Sequence, residues 1–245
     1  MLVLIKSSET DMKIGILQTG QAPEPLRSQT GDYPALFEYL LAGHGFRFVT
    51  WHVEAMEFPR SPADADGWLI TGSRHGVYED HAFIAPLEAF IRDALAEKKP
   101  VVGICFGHQI MAQALGGQVE KYAGGWAVGA QDYVFDGRCV TLNAWHQDQV
   151  IDPPKGARTI AHNAFCAHAA LAYGQCGLSV QAHPEFGDSF IEGLIETRGR
   201  GVVPEALLRT AGERKGTARS APEIAQLIAD HFKRVACRPA SSEAI

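Results

Sequence analysis

Val101-Val102-Gly103-Ile104-Cys105-Phe106-Gly107-His108-Gln109 sets an apolar run, a glycine-flanked cysteine and the start of a helical pattern side by side. Pro100 stops whatever precedes it, so Val101 to Ile104 reads as a buried strand. From Ile110 to Leu115 apolar residues recur at helical spacing, and Gly116 and Gly117 close the helix. The G-x-C-x-G turn between them has the form of a nucleophile elbow, in which glycines flank the reactive residue because a strained strand-to-helix turn leaves no room for side chains. Such a turn points the sulfur at a helix N-terminus, whose partial positive charge favours thiolate over thiol. Cys105 as a small buried hydrophobe is the bland alternative for so short a motif; the strand–turn–helix context argues for a reactive group.

Outward from the elbow, strands and helices alternate. Lys13 to Gln18, Phe46 to Trp51 and Gly67 to Thr71 read as strands, and Ala35 to Ala42 as a helix closed by Gly43. Pro86 to Glu97 places Leu87, Phe90, Ile91 and Leu95 on one helical stripe. Alternation of this kind predicts an α/β fold, a mainly parallel sheet flanked by helices, with Val101 to Ile104 central in it. After Gly117 the texture changes to short segments between turn residues, Gln131 to Phe135, Cys139 to Asn143 and Leu178 to Ala182, which predicts added antiparallel strands. Phe190 to Glu196 and Ile224 to Val235 return to helix. Between them Arg209 to Arg219 is polar and contains glycine, so it is expected to be a mobile surface loop.

A chain of 245 residues with 46% hydrophobic residues can bury a sizeable core. One domain over residues 12–237 is expected, with 1–11 as an N-terminal extension that leaves Met12 as a plausible start, and 238–245 as a flexible tail. The formal net charge of -6 supplies no basic footprint for nucleic acid. Leu2 to Ile5 is too short an apolar run for a signal peptide, and no segment has the length of a membrane span. Five cysteines without C-x-x-C spacing suit a reducing cytoplasm.

A cysteine nucleophile requires a base that stabilises the thiolate and then protonates the leaving amine, work suited to histidine. His183 follows the apolar segment Leu178 to Ala182, which would carry it to the carboxyl edge of the sheet, where α/β active sites lie. Residues two apart in extended chain point the same way, so Glu185 can reach the same region and fix the imidazole tautomer. Attack on an amide also creates an oxyanion that needs preorganised donors; the backbone N–H of Phe106 is one, and a second is expected where Thr71-Gly72-Ser73 leaves its strand.

Gly103-Ile104-Cys105-Phe106-Gly107-His108-Gln109 and His183-Pro184-Glu185-Phe186 resemble the nucleophile and His-Pro-Glu motifs of class I glutamine amidotransferases. The resemblance runs over Lys13 to Phe186 and is nearest to free-standing relatives of the GMP synthetase glutaminase domain. Gly125-Trp126-Ala127-Val128-Gly129 and Trp145-His146-Gln147-Asp148 look like that subgroup's intervening signatures. It implies a flavodoxin-like fold, a catalytic triad of Cys105, His183 and Glu185, and an oxyanion donor at Gly72 or Ser73, with Ser73 favoured. It also implies that Gln109 meets the α-amino-acid end of the substrate, with Trp145, His146 and Asp148 lining that end. Capping of a local turn is an equal reading of Asp148. The chain departs from the family at Gly72-Ser73-Arg74, where the relatives read Gly-Gly-Pro; Arg74 is then free to pair with Glu79 or Asp80.

The expected reaction is hydrolysis of a γ-glutamyl amide through a cysteine thioester. The alternatives are a glutaminase subunit delivering ammonia to a separate synthetase, a free-standing γ-glutamyl peptidase, and a non-catalytic regulatory binding subunit. No cofactor, metal, nucleic-acid partner or membrane partner is expected. His162, Cys166 and His168 match no zinc spacing, and alternation across Ala164 to Ala169 fits a strand better. Gly124, Gly125 and Gly129 form no dinucleotide fingerprint, and Lys98-Lys99 and Arg198 to Arg200 read as solvated helix-end charges.

Overall fold

The computed structural model describes residues 11–236; the expectations for an N-terminal extension and a C-terminal tail fall almost wholly outside the described residues. The strands in chain order are β1 (Met12–Gln18), β2 (Phe46–His52), β3 (Gly67–Ile70), β4 (Val101–Ile104), β5 (Gln118–Lys121), β6 (Ala127–Phe135), β7 (Arg138–His146), β8 (Asp148–Asp152), β9 (Ala157–His162), β10 (Ala170–Tyr173) and β11 (Gly177–Val180). The helices are α1 (Glu24–Thr30), α2 (Tyr33–Leu40), α3 (Ile84–Ala96), α4 (Phe106–Ala114), α5 (Asp188–Leu194), α6 (Glu205–Glu213) and α7 (Ala221–Ala236).

Among the described residues nine strands form one sheet in the order β2-β1-β3-β4-β11-β10-β9-β6-β7, and β5 pairs with β8 apart from it. The first five strands of that order run parallel and the remaining pairings are antiparallel. Period-2 alternation divides the core between the two faces of the sheet. Ile14, Ile16, Leu69, Val102 and Ile104 pack with Phe37 of α2 and with Ile224, Ile228 and Phe232 of α7. Leu17, Trp68, Ile70 and Val101 pack with Leu87 and Ile91 of α3 and with Ile110 and Met111 of α4. Full burial of one such side chain stabilises by about 1.5–3 kcal/mol, so α7, late as it comes, is an integral layer.

Three expectations are corrected. Leu178 to Ala182 is not one of the added antiparallel strands: β11 stops at Val180 and runs parallel to β4, antiparallel only to β10. All four of its residues are buried, as suits a strand covered on both faces. Ala164 to Ala169 forms a turn rather than a strand, because Asn163 Oδ1 accepts from the N–H groups of Phe165 and Cys166 and so draws the chain round. Arg209 to Arg219 is not a free loop. Its first half belongs to α6, which buries Leu208 and Ala211 against Val128. Ala211 fits because residue 129 is glycine at φ +68°; a Cβ there would meet the Ala211 Cβ at 2.6 Å. Arg214 then donates to Ala130 O at 2.7 Å and pairs with Asp132, and Arg219 pairs with Asp188 at 2.7 Å.

Candidate active site

Between β4 and α4 the chain makes the expected sharp turn. Cys105 is the N-cap of α4 at φ 53°, ψ −102°, a region costly for a residue with a Cβ, by about 1–3 kcal/mol. Its neighbours hold it there. A Cβ on Gly103 would lie 2.3 Å from Gly107 O, and one on Gly107 would lie 2.4 Å from Ile70 O, so both glycines are fixed by backbone against backbone. Cys105 N donates to Val180 O (2.9 Å) and Gly107 N to Thr71 O (3.2 Å), which ties the elbow to β11 and to the end of β3.

The chain beyond β11 brings His183 alongside. His183 N donates to Asn143 O (2.8 Å), and Asn143 Nδ2 donates to Phe186 O (2.7 Å), so β7 clamps both ends of His183-Pro184-Glu185-Phe186. Arg219, beyond α6, donates to Asn143 Oδ1 at 3.1 Å and braces this clamp from outside. His183 Nδ1 and Glu185 Oε1 are 2.7 Å apart, with both side chains almost wholly buried. The Phe186 ring lies flat on the imidazole, centroids 3.9 Å apart and planes within 6°. Burial opposes a charged imidazole here, but the Glu185 carboxylate and the Cys105 sulfur, by charge and by hydrogen bonding, outweigh it and push His183 up to about 10.

Gly72 closes the third side: a Cβ on it would be 3.0 Å from His183 Cε1 and 3.8 Å from Cys105 Cβ. The Gly72 carbonyl accepts from the hydroxyls of Thr19 and Thr71, both at 3.1 Å. Thr19 follows β1, on the side of β3 away from β4. In a planar trans peptide the Ser73 N–H points opposite that carbonyl, away from the two hydroxyls.

A cavity of about 500 Å³ opens over Cys105 and His183, lined also by Ser73, Gln109, Trp145, His146 and Asp148. A larger hollow of about 1190 Å³ lies by Met12, Pro100 and Gly177, at the amino ends of the same strands. The cavity over Cys105 is the candidate site, since open α/β sheets bind ligands at carboxyl ends. Gln109 Nε2 donates to Asp148 O (2.9 Å) and Gln181 Oε1 (3.1 Å), which fastens it to the cavity floor. His146 Nδ1 also meets Asp148 O, at 3.2 Å, while among the described residues Nε2 has no partner. Burial brings His146 down to about 4 and keeps it neutral. Asp148 starts β8; it accepts from Tyr78 OH at 3.0 Å, and burial raises its pKa.

Two residues of the site read differently from sequence. Glu79 pairs with His75 and His81 rather than with Arg74. Arg198 is more than a solvated charge: it lines the cavity from a π-helical turn (Ile195–Gly199), donating to Gln21 O (2.8 Å) and Tyr33 OH (3.3 Å). Tyr33, also on the wall, is pushed up to about 12 by burial and stays a neutral phenol. Tyr33 did not stand out in the sequence, since a single aromatic carries no periodic signal, and Phe186 was named only as the last residue of its motif, without a part to play.

Residues 40–190 match the family model for Glutamine amidotransferase class-I. The chain is 26% identical to Gamma-glutamyl peptidase 2 of Arabidopsis thaliana over 75% of its own length and 80% of that protein. To GMP synthase [glutamine-hydrolyzing] of Macrococcus caseolyticus it is 34% identical over 53% of its own length, covering 27% of the larger enzyme. A crystal structure of a glutamine amido transferase from Methylobacillus flagellatus superposes with TM-score 0.74 at 21% identity, over 96% of this chain and 99% of the other. No helix among the described residues is long and apolar enough to cross a membrane.

Proposed function

Because the chain belongs to the class I glutamine amidotransferase family, we propose that it hydrolyses γ-glutamyl amides, with Cys105 as nucleophile, His183 as acid and base, and Glu185 as the residue that orients and charges His183. The carrying observation is the convergence of these three side chains, from β4 and the loop after β11, beneath one cavity. Cys105 Sγ attacks the γ-carbonyl carbon, and the new C–S bond pushes charge onto the oxygen, received by the N–H groups of Phe106 and Ser73. As the tetrahedral centre collapses the C–N bond breaks, and the amine leaves with the proton of His183. Water then attacks the thioester and gives a proton to His183; the C–S bond breaks and the γ-carboxylate departs. Gln109, Trp145, His146 and Asp148 hold the α-amino-acid end, with the Asp148 carboxylate as acceptor for its ammonium group.

The hold of Thr19 and Thr71 on the Gly72 carbonyl favours a preformed oxyanion hole. It therefore supports a self-sufficient hydrolase over a subunit that waits for a synthetase to activate it. Steady-state release of ammonia or amine from glutamine and from γ-glutamyl peptides by the protein alone tests the reading. Turnover of at least one substrate is expected, with loss on Cys105→Ala. Negligible turnover on all of them, while a glutamine-mimicking electrophile still labels Cys105 stoichiometrically, would point instead to an absent activating partner.

A further inference from the structure

The loop that leaves Gly72 and Ser73 carries a second constellation of polar groups that the proposed reaction does not use. His75, Glu79 and His81 bring one ring nitrogen, one carboxylate oxygen and a second ring nitrogen within 4.8 Å of one another. His81 Nε2 is 2.8 Å and His75 Nδ1 is 3.7 Å from the same Glu79 Oε2. Zinc holds N and O ligands at about 2.0–2.2 Å, so tetrahedral ligand atoms stand about 3.4 Å apart; the two spacings straddle that value. The Glu79 side chain is half exposed and so has room to adjust.

The two imidazole rings lie 4.0 Å apart, centroid to centroid, and would have to part slightly to aim one nitrogen each at a shared ion. Nε2 of His75 faces Glu54 Oε1 at 2.9 Å, and the tautomer that donates there leaves Nδ1 with its lone pair toward Glu79. A carboxylate behind a ligating imidazole is the usual outer-shell partner of a bound metal. Phe83 backs both rings, its centroid 6.0 Å from His75 and 5.8 Å from His81. A metal takes its imidazoles in the neutral form, so the Glu54 and Glu79 carboxylates would supply the negative charge that a divalent ion offsets. Two imidazoles and one carboxylate suit zinc and its transition-metal neighbours, not calcium or magnesium, which prefer all-oxygen sites.

The geometry points to a divalent transition-metal site formed by His75, Glu79 and His81, with Glu54 as positioning residue and the fourth position open to solvent. Because His75 and Glu79 also line the cavity over Cys105, the ion would fasten the stretch that follows Ser73 and so hold the oxyanion donor's loop in one conformation. The site stands on these residues alone and does not depend on the proposed hydrolysis.

Calorimetric titration of chelator-treated protein with zinc chloride, and with cobalt(II) chloride followed by its visible absorption, tests it. One saturable equivalent is expected, together with the intense absorption of a four-coordinate cobalt site. His81→Ala and Glu79→Gln, both at partly exposed positions, should each lower affinity at least tenfold, and Glu54→Gln by about 10–100-fold. Cys105→Ala, which removes a competing sulfur ligand from the candidate active site, should leave the binding unchanged. No saturable binding at micromolar metal, binding that survives both His81→Ala and Glu79→Gln, or binding lost in Cys105→Ala would overturn the proposal.

Discussion

Two loops meet over the cavity, and they are held by different means. The elbow from Gly103 to Gln109 is buried throughout and fixed by backbone contacts, with its strain locked between β3, β11 and α4. The loop from Ser73 to His81 exposes Arg74, Tyr78, Glu79 and Asp80, and much of its fastening comes from side chains: Tyr78 to Asp148, His75 to Glu54, Ser73 Oγ to His75 N. A cysteine set by packing cannot drift, whereas the stretch beyond Ser73, held by exchangeable side-chain bonds, can be adjusted without refolding the core. Position on one wall is a property of the fold; on the other it is a property of conditions.

The comparison breaks most visibly at Gly107. Gly107→Ala forces a Cβ against Ile70 O at 2.4 Å, and chemical denaturation should show a loss of about 3 kcal/mol or more, if the protein folds. Next comes the external brace of the His183 segment. Arg219→Ala removes its bonds to Asn143 and Asp188 and should cost about 1–3 kcal/mol. Turnover should fall with it, because the clamp on His183 loosens; unchanged kinetics at reduced stability would limit Arg219 to a structural part.

Acid should sharpen the contrast, since the elbow carries a buried neutral histidine and the loop's histidines already face carboxylates. Burial brings His108 down to about 3, and His146 and His231 to about 4. Each binds a proton in the unfolded chain near pH 6.5 but not in the native one, so stability is full above that pH and falls as pH drops toward 4. The slope is at most about 1.4 kcal/mol per pH unit for each histidine. His183, raised to about 10, acts oppositely: its contribution is complete below 6.5 and lost as pH rises through 10. Melting temperature against pH checks both limbs, and His231→Gln should flatten the acid one. The smallest effect belongs to the loop. Tyr78→Phe removes one half-exposed hydrogen bond to Asp148, should change stability by less than about 1 kcal/mol, and should appear in KM more than in kcat.

The parallel half of the sheet was legible because β3 and β4 are apolar runs set off by glycine or proline, because β1 carries the apolar stretch Ile14 to Leu17, and because Gly103 and Gly107 mark a turn that only glycines permit. The antiparallel half was less so. β9 interrupts its apolar residues with Arg158, Thr159 and His162, and β10 is only four residues long, so neither shows a clear alternation, and α6 owes its place to Ala211 meeting Gly129, a contact no local pattern announces. In the site, Cys105, His183 and Glu185 were nameable from their motifs. The brace from Arg219 was not, since it depends on residues that only the fold brings together; Phe186 was named with its motif but not its stacking on His183, and His75, Glu79 and His81, though close in the chain, sit in a loop whose shape no periodicity gives.

The flat stack of Phe186 on His183 has a spectroscopic consequence. A phenyl ring 3.9 Å above an imidazole shields the protons beneath it, so the carbon-bound protons of His183 should resonate well upfield of those of the other nine histidines. The ring at the centre of the proposed chemistry is thereby marked out in a proton spectrum without any label. Its protonation state, and any tilt of the pair when a substrate enters, can be followed by the movement of that one displaced signal.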